Sequence, residues 1–476
     1  MCKNVQKSYE ICVIILLRLF LRLLECKMKR TIMNELLHWK GSPNRKPLLL
    51  TGVRQSGKTY ILKQFGKQAF KNVVYLNFEA DETLASLFES DLNVERIVRD
   101  LELRSEDYQI VPGKTLLIFD EIQIVPRAVT SLKYFAENMP KLHVVGAGSL
   151  LGVALNREGQ SFPVGKVDYL TMHPLSFVEF LEADGQSGLI KALENHSPDK
   201  PIADAFSVPL QRALLDYYAV GGMPEAVKTW VDGHDFEQVQ VIQNRILMAY
   251  VQDFSKHAPS TDVAKLLAIW DSIPKQLAKD NQKFVFSHVK QGQRARDLLD
   301  ALQWLKSAGL IYTLEKVENA ELPLAAYTDS SFYKVYLCDV GLLCRMADLD
   351  YETIVFEHEA LGSFKGAITE NFVLTELINA GEKPYYWRSG NVAELDFLLQ
   401  VGSNIVPIEA KATLNTQAKS YREFCKRFEP QFGLRASLKN FGLNWVEKTK
   451  TLSLPLYSIW RFRAYLSAAD KIDVED

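Results

Sequence analysis

Between Gly52 and Thr59 the chain reads GVRQSGKT, with Tyr60 next. Its glycines let the backbone N–H groups of Gly52, Val53, Arg54, Gln55, Ser56 and Gly57 curl around an anion, at the start of a helix whose dipole favours negative charge. In that arrangement Lys58 reaches the outer phosphates of a nucleotide and the Thr59 hydroxyl faces Mg²⁺. The GxxxxGK[ST] spacing is informative only between a strand and a helix, and the flanking PLLLTG and YILKQF stretches supply that context. Elsewhere a glycine-bearing turn with a chance lysine would explain it. A second segment, LLIFDE, ends an apolar run in Asp120 and Glu121. Asp120 is the carboxylate expected to help hold Mg²⁺, and Glu121 the one to orient or deprotonate an attacking water. Ser149, closing LHVVGAGSLL, either hydrogen-bonds that water or the outermost phosphate, or caps the next helix. The catalytic candidates are therefore Lys58, Glu121 and Ser149. Arg157 is the candidate for an arginine that completes such a site across a subunit boundary.

A second constellation lies in AELDFLLQVGSNIVPIEAKA, Ala393 to Ala412, where charge interrupts two apolar strands. Unpaired charge is costly to bury. Glu409 and Lys411 stand two apart and share a strand face; an antiparallel neighbour brings Asp396 beside them. Two carboxylates can hold Mg²⁺ together with water and a phosphate oxygen, and the lysine can stabilise charge on that phosphate. Glu370, on the helical stretch ITENFVLTEL, supplies a further acid. A half-exposed hairpin with its charges in water is the plainer explanation. The order of acids, Glu then Asp then Glu-x-Lys, argues against it.

The elements that position these residues alternate in kind. PLLLTG, NVVYLNF, TLLIFDE and LHVVGAG read as buried parallel strands separated by helices. Leu151 to Val167 reads as a loop or short hairpin, and HPLSFVEFLEA as a helix. Pro209 to Ala278 is mostly helical, broken at Gly221–Pro224. FVFSHVKQGQRARDLLDALQWLKSAGLIYTLEKV has the helix–turn–helix–hairpin layout of a winged helix. In its longer helix Lys290, Arg294 and Arg296 are offset by Asp297 and Asp300, so DNA contact and a structural role both stay open. Leu298, Leu299, Leu302, Trp304 and Leu305 read as its core face. The strands PYYWRS, AELDFLL and IVPIEAKA follow.

With 476 residues, two to four domains are expected. A net charge of −2 gives no overall field toward nucleic acid, so any such contact must come from a local patch. Six cysteines without metal spacing read as reduced thiols of a cytoplasmic protein. The apolar N-terminal run is broken by Arg18 and Arg22, which argues against a membrane span and leaves a surface helix or sequence upstream of a start at Met28 or Met33.

These motifs, with YYAVGGMPEAV and FYKVYLCDVGLL, resemble bacterial and archaeal AAA-type P-loop ATPases that carry a C-terminal restriction-endonuclease-like domain of unknown function. The resemblance runs from about Arg30 past Ala412. It implies an α/β fold with a P-loop NTPase parallel sheet, a helical and winged-helix middle, and a PD-(D/E)xK nuclease-like α/β end. The expected division is an N-terminal extension over 1–29, an ATPase domain over 30–180, a helical region over 181–278, a winged-helix-like domain over 279–345 and the nuclease-like domain over 346–476. One departure is Gly165-Lys166, where relatives often show Gly-Arg, since lysine cannot fork two hydrogen bonds. The function expected is Mg²⁺-dependent ATP hydrolysis coupled to a domain acting on DNA or RNA, with a homo-oligomer as a further expectation. The alternative is a nucleotide-gated binding or signalling protein whose nuclease-like domain is silent.

Overall fold

A computed structural model describes residues 28–155, 165–279, 283–289, 294–356, 361–362, 364–390, 393–413 and 419–472. Arg157, Lys290 and the N-terminal run lie outside the described residues. The apolar runs of the first half form one parallel sheet in the order β2–β3–β4–β1–β5, with β1 Leu48–Thr51, β2 Asn72–Asn77, β3 Thr115–Asp120, β4 His143–Ala147 and β5 Asp168–Thr171. β3 and β4 are buried at every position, as strands covered on both faces must be. From β1 the chain crosses to β2 on one side and later returns to β5 on the other. The carboxyl end of β1 is therefore a switch point, the place where open α/β sheets bind ligands. The sequence reading places no strand at β5. Its four residues alternate between half-buried and exposed, too weak an apolar signal to stand out at a sheet edge.

The middle of the chain is helical, with Asp204–Val220, Pro224–Gly233 and Ser260–Leu277 among its helices. The helices used below are α1 Lys58–Ala69, α2 Phe177–Ala183, α3 Phe236–His257, α4 Ala295–Ser307, α5 Val340–Met346, α6 Phe364–Asn379 and α7 Lys419–Phe428. The Gly221–Pro224 break has a structural cause. Asp339 caps α5, accepting from Leu342 N at 2.9 Å and from Gly222 N at 2.6 Å, and a Cβ at Gly221 would overlap its carboxylate. Burial pushes Asp339 up to about 6 against these backbone donors. On α4, Leu298, Leu302, Trp304 and Leu305 are buried as expected, but Leu299 is 47% exposed. One residue beyond Leu298, it is rotated about 100° off the core stripe.

The second sheet has eight strands in the order β12–β13–β11–β10–β9–β8–β6–β7. These are β6 Ile311–Val317, β7 Thr328–Leu337, β8 Tyr385–Ser389, β9 Ala393–Val401, β10 Asn404–Ala410, β11 Phe432–Ser437, β12 Gly442–Val446 and β13 Thr449–Pro455. The β6–β7 hairpin, expected as the wing of a separate unit, pairs with β8 through Lys316–Tyr386 and Val317–Trp387. The expected boundary between 345 and 346 thus runs through a continuous sheet. The physical reason is the hairpin's open edge, whose unpaired N–H and C=O groups are satisfied by β8.

Candidate functional sites

At the first site, the end of β1 turns sharply into α1. Gly52 takes φ +139°, Gln55 +66° and Gly57 +93°, and a Cβ at Gly52 would overlap the Met172 backbone beyond β5. Ser56 is fully buried and Lys58 is 6% exposed. The Lys58 ammonium folds back onto the loop, donating to the Gly52 and Val53 carbonyls at 2.9 Å each. Burial pulls Lys58 down to about 8, Asp120 and Glu121 opposing the shift and Arg54 adding to it. Thr59 Oγ1 donates to Asp120 Oδ2 at 2.7 Å, so loop and strand-end acid meet. Tyr75 OH donates to the same oxygen at 2.7 Å, and Glu121 N donates to Asp120 Oδ1 at 3.1 Å. Burial and the Asp120 carboxylate push Tyr75 up to about 12.

Glu121 occupies the left-handed region at φ +50°, a conformation costly for a side-chain-bearing residue and frequent at functional sites. Gln123 Nε2 donates to its Oε2 at 2.6 Å. Gly148, just before Ser149, makes room for this pair: a Cβ there would overlap Gln123 Oε1. Ser149 is 8% exposed and lines a 210 Å³ cavity with Gly52, Val53, His173, Gly309 and Tyr312. Tyr60 is 42% exposed and lines a groove of 820 Å³ with Arg30, Thr31 and Gln64.

Other segments clamp the loop from outside. Arg30, 9% exposed, donates through NH1 to Ser56 O at 3.2 Å, through NH2 to His173 O at 2.6 Å and through Nε to Glu179 Oε2 at 3.1 Å. A fixed fork of donors suits arginine to such three-way tethering. Arg54 pairs with Asp253 on α3, and Tyr250 OH donates to Arg54 O at 3.0 Å. Lys166, at the departure noted above, pairs with Glu137 at 3.0 Å.

The second site forms where β9 and β10 meet under α6. The β9–β10 register pairs Phe397 with Ile408, which sets Asp396 opposite Glu409 one step further. Ala410 N donates to Asp396 Oδ2 at 2.8 Å, and Lys411 Nζ lies 2.6 Å from Glu409 Oε1. Leu395 to Leu398 spans the same length of sheet as Tyr385 to Trp387, so β9 bulges by one residue at Asp396–Phe397. Lys334 on β7 is 1% exposed and bridges Glu370 Oε2 at 3.3 Å and Glu394 Oε1 at 2.7 Å, while Tyr336 OH donates to Glu370 Oε2 at 2.7 Å. Desolvation, then Glu409 and Glu370, push Asp396 well above the carboxylate range. Burial also raises Glu409 against the pull of Lys411. Lys411 is itself raised: Asp396, Glu409 and Glu370 outweigh its desolvation. Glu409 Oε2 is buried with no hydrogen-bond partner among the described residues.

All of Glu370, Asp396, Glu409 and Lys411 thus come into one electrostatic cluster. Among the described residues no trio of His, Cys, Asp or Glu stands ready as a metal cage. Lys334, Tyr336, Glu394, Gln123, Arg30 and Glu179 escape the sequence reading. A lone lysine inside the apolar run FYKVYL is the signal that could have found Lys334. Ser176-x-x-Glu179 has the spacing of a helix cap, but the pairing of Glu179 with Arg30, 149 positions away, carries no local mark.

Residues 44–181 match the family model described as AAA domain, residues 365–457 the Domain of unknown function (DUF4143), and residues 211–353 the Domain of unknown function (DUF8612). Among curated proteins, an uncharacterized protein of Methanocaldococcus jannaschii, MJ1544, is 25% identical over 414 residues, covering 83% of this chain and 81% of its own length. Among solved structures, the Walker-type ATPase PABY2304 of Pyrococcus abyssi aligns over 67% of this chain and 96% of its own, at 15% identity and TM-score 0.42. The Aeropyrum pernix ORC2 protein aligns over 72% and 92%, at 12% identity and TM-score 0.34. Likeness this loose carries no functional inference. The AAA match, residues 44–181, coincides with the five-stranded parallel sheet that carries the phosphate loop. Among the described residues no helix is long and apolar enough to cross a membrane.

Proposed function

We propose that this protein is a Mg²⁺-dependent ATPase whose nucleotide cycle governs the acidic site of the second sheet, and that this site cleaves phosphodiester bonds of DNA or RNA. The observation that carries the first half is the 2.7 Å hydrogen bond from Thr59 to Asp120, which sets a loop hydroxyl against a buried strand-end carboxylate. Those two oxygens suit a hard, oxygen-seeking cation, and Thr59 and Asp120 would hold Mg²⁺, which when bound neutralises phosphate charge. Lys58 exchanges its loop carbonyls for the outer phosphates. The amides of Gly52 to Thr59 cradle the remaining oxygens, with Tyr60 alongside. Glu121, oriented by Gln123, positions water and receives its proton; Ser149 stands on the Gly52–Val53 flank of the loop as the candidate sensor. Arg157 keeps its proposed role as the arginine given to a neighbouring subunit in a homo-oligomer.

For the second half, the orphaned Glu409 Oε2 beside an Asp396 held above its ordinary range supports a two-carboxylate cation site. Lys411 then faces the phosphate and Glu370 completes the acid set. On this reading the end of the chain is a restriction-endonuclease-like domain, with Asp396 and Glu409-x-Lys411 as its PD-(D/E)xK residues. Domains at 30–180 and 181–278 precede it, and the segments 279–345 and 346–476 act as one unit around their common sheet.

The test is ATP turnover by wild type and Glu121→Gln with and without DNA or RNA, alongside cleavage of plasmid, linear and single-stranded substrates in Mg²⁺ or Mn²⁺. Loss of a general base lowers turnover by about 10²–10⁴-fold, with nucleotide binding retained. A wild-type protein that neither binds nor hydrolyses ATP overturns the first half; one that turns over ATP but cleaves nothing overturns the second. A silent, docking role for the acidic site has one observation in its favour, the saturation of Glu370 and Glu394 by Lys334. It requires Glu409→Ala and Lys411→Ala to leave function intact.

A further inference from the structure

One helix stands in the chain of contacts between the two sites. On α6, Glu370 joins the acidic cluster, and Glu376, 1% exposed, accepts from Phe177 N at 2.9 Å at the start of α2. Phe372, between them, packs edge-on against Phe177 with ring centroids 6.2 Å apart. Asn371 ties the helix to β7 in both directions, accepting from Leu337 N at 2.9 Å and donating to Leu337 O at 3.2 Å. The start of α2 is equally tied to the phosphate loop. Ser176 and Glu179 form a reciprocal cap there, and Arg30 joins Glu179 to Ser56 O. Every link from Ser56 to Glu370 is therefore a buried hydrogen bond, an ion pair or a single rigid helix.

The junction also has room to shift. A cavity of 200 Å³ is bounded by Arg30, His173, Ser176, Glu179, Glu376 and Trp460, and Glu376 Oε2 has no hydrogen-bond partner among the described residues. A buried carboxylate with one oxygen engaged and one free can exchange partners when α2 moves. Burial, aided by Glu179, pushes Glu376 up to about 8 against its backbone donor.

We propose that Glu376 is the positioning residue through which the phosphate loop sets the geometry of the acidic site: loop closure on a triphosphate pulls Arg30 and Glu179, α2 follows, and Glu376 carries the shift along α6 to Glu370. This rests on the reading of both sites given above. Glu376 touches neither ligand and acts through Phe177 and Glu370.

Hydrogen–deuterium exchange on the intact protein, with and without Mg²⁺ and a non-hydrolysable ATP analogue, tests it. In wild type the analogue protects 52–59 and changes exchange across 393–410 by about fivefold or more, the lower range of allosteric coupling. Glu376→Met, which keeps the packing and loses the acceptor, retains protection at 52–59 and loses the distant response. Glu376→Gln keeps an acceptor oxygen and retains both. If the methionine variant does not fold, Glu376→Leu, which likewise lacks the acceptor, takes its place with the same expectation. Wild-type protection at 52–59 without any change at 393–410 overturns the proposal alone, as does a full distant response in Glu376→Met. No protection at 52–59 in wild type overturns the nucleotide reading beneath it.

Discussion

Lys58 lies at 6% exposure, and although its ammonium donates to two carbonyls of its own loop, burial disfavours its charge. Its affinity for protons is lowered to about 8, so above that pH the free protein has shed the charge that a bound triphosphate restores. Binding of an ATP analogue at pH 9 is therefore expected to take up about one proton, less at pH 7, and none in Lys58→Ala. Calorimetry in buffers of different ionisation enthalpy measures it, and equal heats across buffers at pH 9 would refute it. Asp396 is displaced the other way. Its folded-state pKa lies above the unfolded value, so its neutral form favours the fold at low pH and stability is lost as pH rises through the raised pKa. Asp396→Asn keeps an acceptor for Ala410 N–H and removes that penalty. In chelator, urea unfolding at pH 8 is expected to show a gain of roughly 1–2 kcal/mol that vanishes at pH 4, the usual sign of a functional carboxylate held against stability. Destabilisation at pH 8 would count against the carboxylate cluster.

At the scale of elements, positions that look like spacing turn out to be clearance. Gly148 follows β4 and leaves the space that Gln123 needs to hold Glu121. Gly148→Ala pushes Gln123 aside and frees Glu121, which should lower kcat by about tenfold or more, in keeping with a misplaced catalytic group, with KM for ATP little changed. Steady-state kinetics decide this, and a raised KM with intact kcat would place the residue in binding instead. The bulge at Asp396–Phe397 works on the same scale in the second sheet. One extra residue in β9 breaks its register with β8, while its register with β10 stays regular and keeps Asp396 opposite Glu409.

At the scale of the whole molecule, the two sheets are separate but the expected domains are not all so. The β6–β7 hairpin closes one edge of the second sheet, and Lys334 and Tyr336 reach Glu370 from it. A fragment starting at 346 lacks those strands and leaves Glu370 without its lysine, a buried acid stripped of its partner. It is expected to be unfolded or aggregated by circular dichroism and limited proteolysis, whereas one starting at 283 retains the sheet. A monomeric, protease-resistant 346–476 fragment would contradict the continuity of that sheet.

What was legible in the sequence was local. GVRQSGKT, LLIFDE, the buried strands around them and the Asp, Glu-x-Lys order are all read from short stretches of neighbouring residues. Tertiary structure alone decided that β5 lies beside β1, that the hairpin belongs to the second sheet, that Leu299 faces outward, and that Arg30, Glu179, Lys334 and Glu376 connect the sites. The reason is range: periodicity and turn chemistry act over a handful of positions, whereas strand order, edge pairing and buried ion pairs here join residues from 36 to 149 positions apart and exist only once the chain has closed on itself.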